Sequence, residues 1–352
     1  MADRRFSRRT AMKGAAALGG SLALGGWRGA KRDTEATAER PTLVLFWLNG
    51  GPAGLFNSAG SFLRSGAFGV APGRVLDLGN DLLVDAGSLG ALPASARSHM
   101  ASINFRHGVV RPHEAARAAV LQSGNRSQLL RLAVAMPEAS RRCAVVNDLG
   151  LPVGVSADPP AESGLRLERV LDAANLANGL DAGQVQAIRS AYGWSGETAG
   201  ISDQVSTFAA AEMLVHGGAG VIFAQPAYTG RPDRQFDTHE DEDGTAARAV
   251  MAPITPSLAT FLGRTLDLPR RNVVILLVGE FSRTVPASDH EPGGTATVIG
   301  KYVQRGTAGP QREDGSPPLD APPPEDLWAF VAAALRVDGS PFGTNSTGRL
   351  VA

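Results

Sequence analysis

Four short apolar runs, separated by stretches with helical periodicity, constrain the fold of this 352-residue chain more than any other feature. Each run is rich in aliphatic and β-branched residues and is too short for a buried helix, which is typical of strands covered on both faces. Strands that alternate with helices predict an α/β fold, with a mainly parallel central sheet flanked by helices on both faces. The four runs are 42–48, 143–146, 220–224 and 272–278.

Apolar residues at helical spacing predict the elements between these strands. Pro253 and Pro256 are expected to kink or divide one of the helices, because proline lacks the backbone N–H that a helix interior needs. The many prolines and glycines of 306–324 predict a surface loop. We expect helices at 114–122, 127–136, 165–176, 182–192, 203–216, 245–266 and 324–337.

The first 38 residues have the pattern of an export signal. Arg8 and Arg9 precede an apolar run, 14–27, that is too short to span a bilayer, as in a twin-arginine signal peptide. Small residues predict cleavage after Ala38, and less strongly after Ala30. A basic arm or a single membrane anchor is the alternative interpretation. We therefore expect a signal and tether over 1–38, a single domain over 39–352, the twin-arginine translocase as a partner during export, and a periplasmic or extracellular location.

Composition narrows the classes of partner. The chain has 34 basic and 34 acidic residues without a basic block, so we expect no nucleic acid to bind. After the signal, no apolar run reaches the ~18 residues of a membrane span, so none is expected. Cys143, the only cysteine, lies in a predicted strand and is interpreted as a buried structural residue and not as a nucleophile.

Polar clusters follow three of the predicted strands. Because the carboxyl ends of parallel strands meet at one edge of a sheet, these side chains are expected to converge there. Carboxylate oxygen and neutral imidazole are suitable ligands for a divalent metal. The clusters contain Asn49 after the first strand, Asp237 and His239 after the third, and Glu280, Arg283, Asp289 and His290 after the fourth.

Each cluster also has a purely structural interpretation. Asp237 would suit a helix N-cap, with a surface histidine nearby. Glu280 and Arg283 would form a local ion pair. Asp289 and its neighbour would belong to a turn. His113, before an alanine-rich helix, is either a site residue or a residue that packs at the helix start.

The order of these motifs resembles that of an exported bacterial family, domain of unknown function 1501. The resemblance runs from about Pro41 to Val337. That family is similar in fold to the alkaline phosphatase and sulfatase superfamily, whose members have a mostly parallel sheet with metal ligands at the strand ends. The motifs that carry it are Trp-Leu-Asn-Gly-Gly-Pro at 47–52, Arg-Pro-His-Glu-Ala-Ala-Arg at 111–117, Ser-Gly-Asn at 123–125, Asp-Thr-His at 237–239, Gly-Glu-Phe-Ser-Arg-Thr at 279–284 and Asp-His at 289–290.

The resemblance implies a metal-dependent hydrolase that acts on a phosphate or sulfate ester, a small anionic substrate. It implies a divalent ion, such as zinc, manganese or calcium. Arg283 would meet the anionic group of the substrate, since its planar fork suits phosphate or sulfate. His113, which matches a family position, and Asn49 are the other candidate catalytic residues. The implied metal ligands are Asp237, His239, Glu280, Asp289 and His290.

This chain departs from the family pattern in its first loop. The family usually carries an aspartate shortly after the two glycines, but residues 50–57 contain no carboxylate. Asn49 or Asn57 would offer only a neutral oxygen, and Ser58 and Ser61 are candidate nucleophiles by position alone. A catalytically degenerate family member, acting as a periplasmic or envelope binding protein, is therefore the alternative function.

Overall fold

A central sheet of eight strands organises the part of the chain that the computed structural model describes. The described residues are 39–52, 57–59, 72–147, 165–170, 176–177, 179–195, 201, 203–226, 235–284, 289–309, 311–312 and 314–352. The strands among these residues are β1 (Arg40–Trp47), β2 (Asn57–Ala59), β3 (Val75–Asp77), β4 (Leu82–Asp85), β5 (Met100–Arg106), β6 (Gln122–Ser123), β7 (Arg126–Ser127), β8 (Cys143–Val146), β9 (Leu167–Val170), β10 (Val221–Ala224), β11 (Arg271–Val278), β12 (Ser282–Arg283), β13 (His290–Glu291), β14 (Gly293–Gly300) and β15 (Gly306–Ala308). The strand order in the central sheet is β15-β5-β14-β11-β1-β10-β8-β9.

Helices lie between these strands. The structure has α1 (Ala94–Ser98), α2 (His113–Leu121), α3 (Gln128–Ala135), α4 (Ala182–Tyr192), α5 (Gln204–His216), α6 (Thr245–Thr265) and α7 (Pro324–Ala334). Short 3-10 helices occur at Pro72–Arg74, Leu89–Ala91, Glu138–Ser140 and Gly348–Leu350.

Most neighbouring strands of the sheet are parallel, which confirms the predicted fold class. Five consecutive strands, from β11 through β1, β10 and β8 to β9, run in one direction. β14 is antiparallel to both of its neighbours, β11 and β5, and β15 pairs with β5 in parallel. The carboxyl ends of β1, β10 and β11 therefore lie side by side.

Hydrophobic residues cover both faces of the sheet. Successive residues of a strand point to opposite faces, so Phe46 packs among the helices of one face and Trp47 among those of the other. The ring of Phe46 lies 4.4 Å from that of Phe208 in α5 and 5.2 Å from that of Phe261 in α6. Burying a side chain of this size contributes about 2–3 kcal/mol. β1 is thus held as a central strand from both sides.

Capping residues set the starts of two helices. The Asp203 carboxylate accepts a hydrogen bond from the backbone N–H of Ser206, and the Ser206 side chain accepts one from the backbone N–H of Asp203. This capping box satisfies N–H groups that the first turn of α5 leaves without partners. Asp181 and Gln184 form the same arrangement at the start of α4. Both helices begin within one residue of their predicted start.

The four apolar runs are strands, as predicted, but one predicted helix is wrong. Residues 167–170 form strand β9, parallel to β8, where a helix over 165–176 was expected. Leu167 and Val170 are buried while the two residues between them are exposed. This spacing of three also suits a helix, which explains the error. Helix α6 is a single helix, not divided by Pro253 or Pro256.

Strands β5 and β14 were missed because polar residues are buried in them. Asn104 of β5 and Thr295 of β14 are both buried. The Thr295 hydroxyl donates to the Asn104 carboxamide oxygen at 2.7 Å, and Gln311 donates to Thr295. The burial of Gln311 and Ser316, with strand β15 at 306–308, also shows that 306–324 is not simply a surface loop.

The predicted signal falls on residues 1–38, which lie outside the described residues, so the export assignment stays a prediction. None of the helices in the described part of the chain combines the length and apolarity required to cross a bilayer. Cys143 is buried, as expected.

Candidate metal centre

Gly50 allows the loop after β1 to approach the segment that contains Asp237. Gly50 has a φ of +96°, and a Cβ there would lie 2.2 Å from the backbone nitrogen of Asp237. Any other residue would push this segment away, and its backbone would also be strained. The backbone N–H of Phe236 donates to the Asn49 carbonyl at 2.7 Å. Asp237 is therefore fixed at the carboxyl end of β1.

One oxygen of Asp237 is the meeting point of four side chains. Its Oδ1 lies 2.6 Å from Arg283 Nη2, 3.1 Å from His239 Nε2, 3.3 Å from His290 Nε2 and 3.5 Å from His113 Nε2. Burial alone would raise the pKa of this carboxyl. The hydrogen bond and charge of Arg283, aided by the two histidines His290 and His113, outweigh burial and lower the pKa to about 2. Asp237 is therefore a carboxylate throughout the physiological pH range.

His290 is held by stacking on Phe281. The two rings are 4.2 Å apart and nearly parallel, at 9°, and the short pairing of β12 with β13 sets Arg283 opposite His290. Burial, followed by the charge of Arg283, lowers the pKa of His290 to about 4 although its contact with Asp237 favours the charged form. The ring is therefore neutral at pH 7, the state in which imidazole binds a metal.

His113 is oriented by Glu280. Its Nδ1 lies 2.9 Å from Glu280 Oε1. An ionised carboxylate can only accept, so the proton of this bond sits on Nδ1. Nε2, on the opposite side of the ring, lies 3.5 Å from Asp237 Oδ1. The nitrogen that Glu280 does not contact therefore faces the carboxylate of the candidate metal centre.

A three-residue group in the described part of the chain has the geometry of a metal site. One ligand atom from each of His113, Asp237 and His290 lies within 4.8 Å of the other two. Two imidazoles and one carboxylate suit zinc or manganese better than calcium, which prefers oxygen ligands. The residues present therefore fit a divalent metal ion.

The structure brings together some of the predicted ligands and separates others. Asp237 and His290 belong to the three-residue group, and His113 joins them although it was expected as a catalytic residue. His239 contacts Asp237 with a side chain that is 45% exposed. Asp289 is exposed, and its backbone pairs with that of Thr284. Neither His239 nor Asp289 belongs to the group found among the described residues.

The Arg283 side chain makes its hydrogen bonds inside the protein and not at the surface. Its side chain is fully buried. The guanidinium donates to the backbone carbonyls of Gly50 and Gly51 as well as to Asp237. The sequence-based expectation set this group against an anionic substrate. In the structure it neutralises Asp237 instead.

Glu280 and Asn49 are both buried beside this centre. Glu280 accepts from the backbone N–H of Gly50 at 3.1 Å and from Arg117 Nε at 3.3 Å, in addition to its bond with His113. Asn49 donates to the Gln235 side chain at 3.2 Å. Its own Oδ1 is buried and has no hydrogen-bond partner among the described residues.

Two further residues contribute to the site and were not predicted from the sequence. Arg117 follows His113 by one helical turn in α2, so the two side chains share a face, and this spacing of four was an available signal. His107 donates from Nε2 to the Glu280 backbone carbonyl at 2.7 Å and accepts from the backbone N–H of Val109 at 3.1 Å. Burial lowers the pKa of His107. No local pattern predicts this second contact.

Comparisons with known proteins identify distant likenesses of fold. No family model and no curated protein matches the chain, so the resemblance to the family of unknown function is not confirmed. An alkaline phosphatase superfamily protein from Vibrio parahaemolyticus is 11% identical, over 88% of this chain and 70% of that chain, with a TM-score of 0.43. Lipoteichoic acid synthase LtaP from Listeria monocytogenes is 12% identical, over 88% and 76%, with a TM-score of 0.42. The PsFucS1 sulfatase from Pseudoalteromonas sp. is 12% identical, over 92% and 74%, with a TM-score of 0.41.

Proposed function

We propose that this chain is an exported hydrolase that binds a divalent metal ion through His113, Asp237 and His290 and acts on a phosphate or sulfate ester. The observation that supports the metal is that one ligand atom from each of His113, Asp237 and His290 lies within 4.8 Å of the other two. Asp237 is ionised above pH ~2, and two imidazoles with one carboxylate suit zinc or manganese.

The residues around the ion have separate tasks in this proposal. The metal would polarise a phosphoryl or sulfuryl oxygen of the substrate. Arg283 keeps Asp237 ionised, so that its carboxylate is available as a ligand. Arg117 retains 16% exposure of its side chain, whereas Arg283 has none. We therefore assign contact with the anionic group to Arg117, whose planar fork can donate two parallel hydrogen bonds.

Metal content tests the centre directly. Purified wild-type protein, dialysed against zinc or manganese, should retain close to one ion per chain by elemental analysis. His113→Ala, Asp237→Asn and His290→Ala should each lose it. His216→Ala is the matched control, because His216 lies at the end of α5 beside Glu212. A wild type without metal, or variants that retain it, would refute the assignment.

Turnover tests the reaction. Aryl phosphate and aryl sulfate esters should be hydrolysed by the metal-loaded protein. Arg117→Met should raise KM for these substrates, with metal content unchanged. The control is Arg126→Met, because Arg126 is exposed in β7.

The buried position of Arg283 favours a second candidate, a non-catalytic binding protein of the cell envelope. This cation already occupies an oxygen of Asp237, and the first loop lacks a carboxylate. In that case the protein would bind metal and inorganic phosphate or sulfate, yet hydrolyse neither class of ester. Turnover that disappears in Asp237→Asn would eliminate this candidate.

A further inference from the structure

The geometry points to Glu280 as a positioning residue that fixes His113 and Arg117, and not as a metal ligand. This inference rests on the proposed function, since it concerns how the proposed ligand and the proposed anion-binding side chain are held. It departs from the family resemblance, which implied that Glu280 binds the ion.

The first support is the number of donors on one oxygen. Glu280 Oε1 accepts from Gly50 N at 3.1 Å, His113 Nδ1 at 2.9 Å and Arg117 Nε at 3.3 Å. These donors come from the loop after β1 and from two successive turns of α2. A carboxylate oxygen with three N–H donors has no free direction for a cation. Oε1 is thus committed to holding protein groups in place.

The second support is that Glu280 is itself held in place by burial and hydrogen bonds. It is fully buried, and its backbone carbonyl accepts a hydrogen bond from His107 Nε2. His107 is in turn fixed by the backbone N–H of Val109. Glu280 is therefore held through both its main chain and its side chain. A residue that orients other side chains must itself be fixed in this way.

The third support is the contrast with His290. Its Nδ1 is buried and has no hydrogen-bond partner in the part of the chain that the structure describes. Only His113, of the two histidines in the three-residue group, has a carboxylate on the nitrogen that points away from Asp237. A carboxylate at that nitrogen sets the tautomer and the ring direction of a metal-binding histidine. Glu280 Oε2 is buried and has no partner among the described residues, but neither oxygen of Glu280 belongs to the three-residue group.

Nitrogen NMR of the wild type tests the inference without any variant. In metal-free protein labelled with ¹⁵N-histidine, His113 should carry a proton on Nδ1. On addition of ¹¹³Cd(II), cadmium should couple to Nε2 of His113 while the Nδ1 proton remains. Coupling of cadmium to Nδ1, or a metal-free His113 without a proton on Nδ1, would overturn the inference.

A variant separates positioning from ligation. Glu280→Gln should mix the two tautomers of metal-free His113 and weaken zinc binding about 10- to 100-fold. Asp289→Asn removes an exposed carboxylate nearby and should change neither quantity. Loss of zinc binding with the His113 tautomer unchanged would indicate a ligand and overturn the inference.

Failure of the proposed function has a different signature. If the wild type binds no metal, the function is refuted, yet the Nδ1 proton of metal-free His113 still supports or overturns the role of Glu280. If Glu280→Gln fails to fold, shown by circular dichroism, the wild-type spectra decide.

Discussion

Glu212 and Asp237 each lie beside an arginine, but their surroundings differ in how completely the polar atoms are satisfied. Glu212 is buried among α4, α5 and α6, and both of its oxygens accept from Arg264 Nε, at 2.8 and 3.0 Å. The Tyr192 hydroxyl donates to the same carboxylate at 2.7 Å. Burial raises the pKa of Tyr192, so this hydroxyl remains a donor.

The surroundings of Asp237 are incomplete by comparison. Its side chain is 30% exposed, and three imidazoles approach a single oxygen. His290 Nδ1, buried nearby, has no partner among the described residues. The Glu212 carboxylate has protein donors on both oxygens and links neighbouring helices. The Asp237 region retains polar atoms without protein partners in the described part of the chain, and these can bind a ligand. The two regions should therefore respond differently to the same tests.

The largest expected effect is on stability, from Glu212→Ala. The change leaves Arg264 and the Tyr192 hydroxyl without their acceptor. Breaking a buried pair costs 3–5 kcal/mol, and because Arg264 is 36% exposed we expect the lower end, about 3 kcal/mol. Urea unfolding at pH 7 measures it. Glu138→Ala, at an exposed site, should stay within about 0.5 kcal/mol of wild type. A loss below about 1 kcal/mol would mean that the contacts of Glu212 with Arg264 and Tyr192 do not stabilise the packing of these helices.

Metal should stabilise the protein through the other region. At a free zinc concentration of 100 times Kd, the free energy of unfolding should rise by about 2.7 kcal/mol. His113→Ala should abolish this gain, while Glu212→Ala, although less stable, should keep it. The same gain in both variants would show that zinc binds elsewhere.

Lowering the pH should reduce the free energy of unfolding through the titratable groups of the candidate metal centre. The pKa of His290 is about 4, against 6.5 as the ordinary value, so the unfolded chain binds the proton more tightly. The resulting stability is present above pH 6.5 and is lost as the pH falls through 4. Asp237, with a pKa of about 2 against 3.8, acts in the same direction at lower pH.

We expect metal-free wild type to lose about 1–2 kcal/mol from this source between pH 6.5 and 4, allowing for solvent screening. His290→Asn should show a correspondingly flatter dependence of unfolding free energy on pH. His216→Asn is the control, and equal curves for the wild type and His290→Asn would contradict the assignment.

The smallest expected effect comes from Tyr192→Phe. Removing one hydrogen bond to a charged group, with Arg264 still on Glu212, should cost about 1 kcal/mol in urea unfolding. Zinc binding should not change. If zinc affinity falls in this variant, the two regions are coupled, and the Glu212 region is not purely structural.

Local pattern was enough to predict much of the fold. The runs that became β1, β8, β10 and β11 are continuous and apolar because strands inside a sheet are buried on both faces. Helix α4 was predicted at its observed bounds from the helical spacing of its apolar residues. The failures, β5, β14 and β9, are strands whose polar or spaced residues make sense only beside their neighbours.

The candidate site was predicted in part for the same reason. Asp237 and His290 stood out because each follows a strand in a recognisable motif. The role of Glu280 and the involvement of Arg117 did not, because they depend on hydrogen bonds between residues more than 160 positions apart. Burial of Arg283 likewise comes from carbonyls of a distant loop.

The sequence by itself determined where the four apolar strands and most of the helices form, and which side chains carry metal-binding chemistry, since these follow from residue type and short spacing. Only the tertiary structure decided which carboxylate meets which imidazole. The four site residues come from four segments: His113 from α2, Asp237 from a loop, Glu280 from the residues after β11 and His290 from β13. Parallel pairing in the sheet and close approach at Gly50 bring these segments within hydrogen-bond distance, and that proximity sets the charge and orientation of each group.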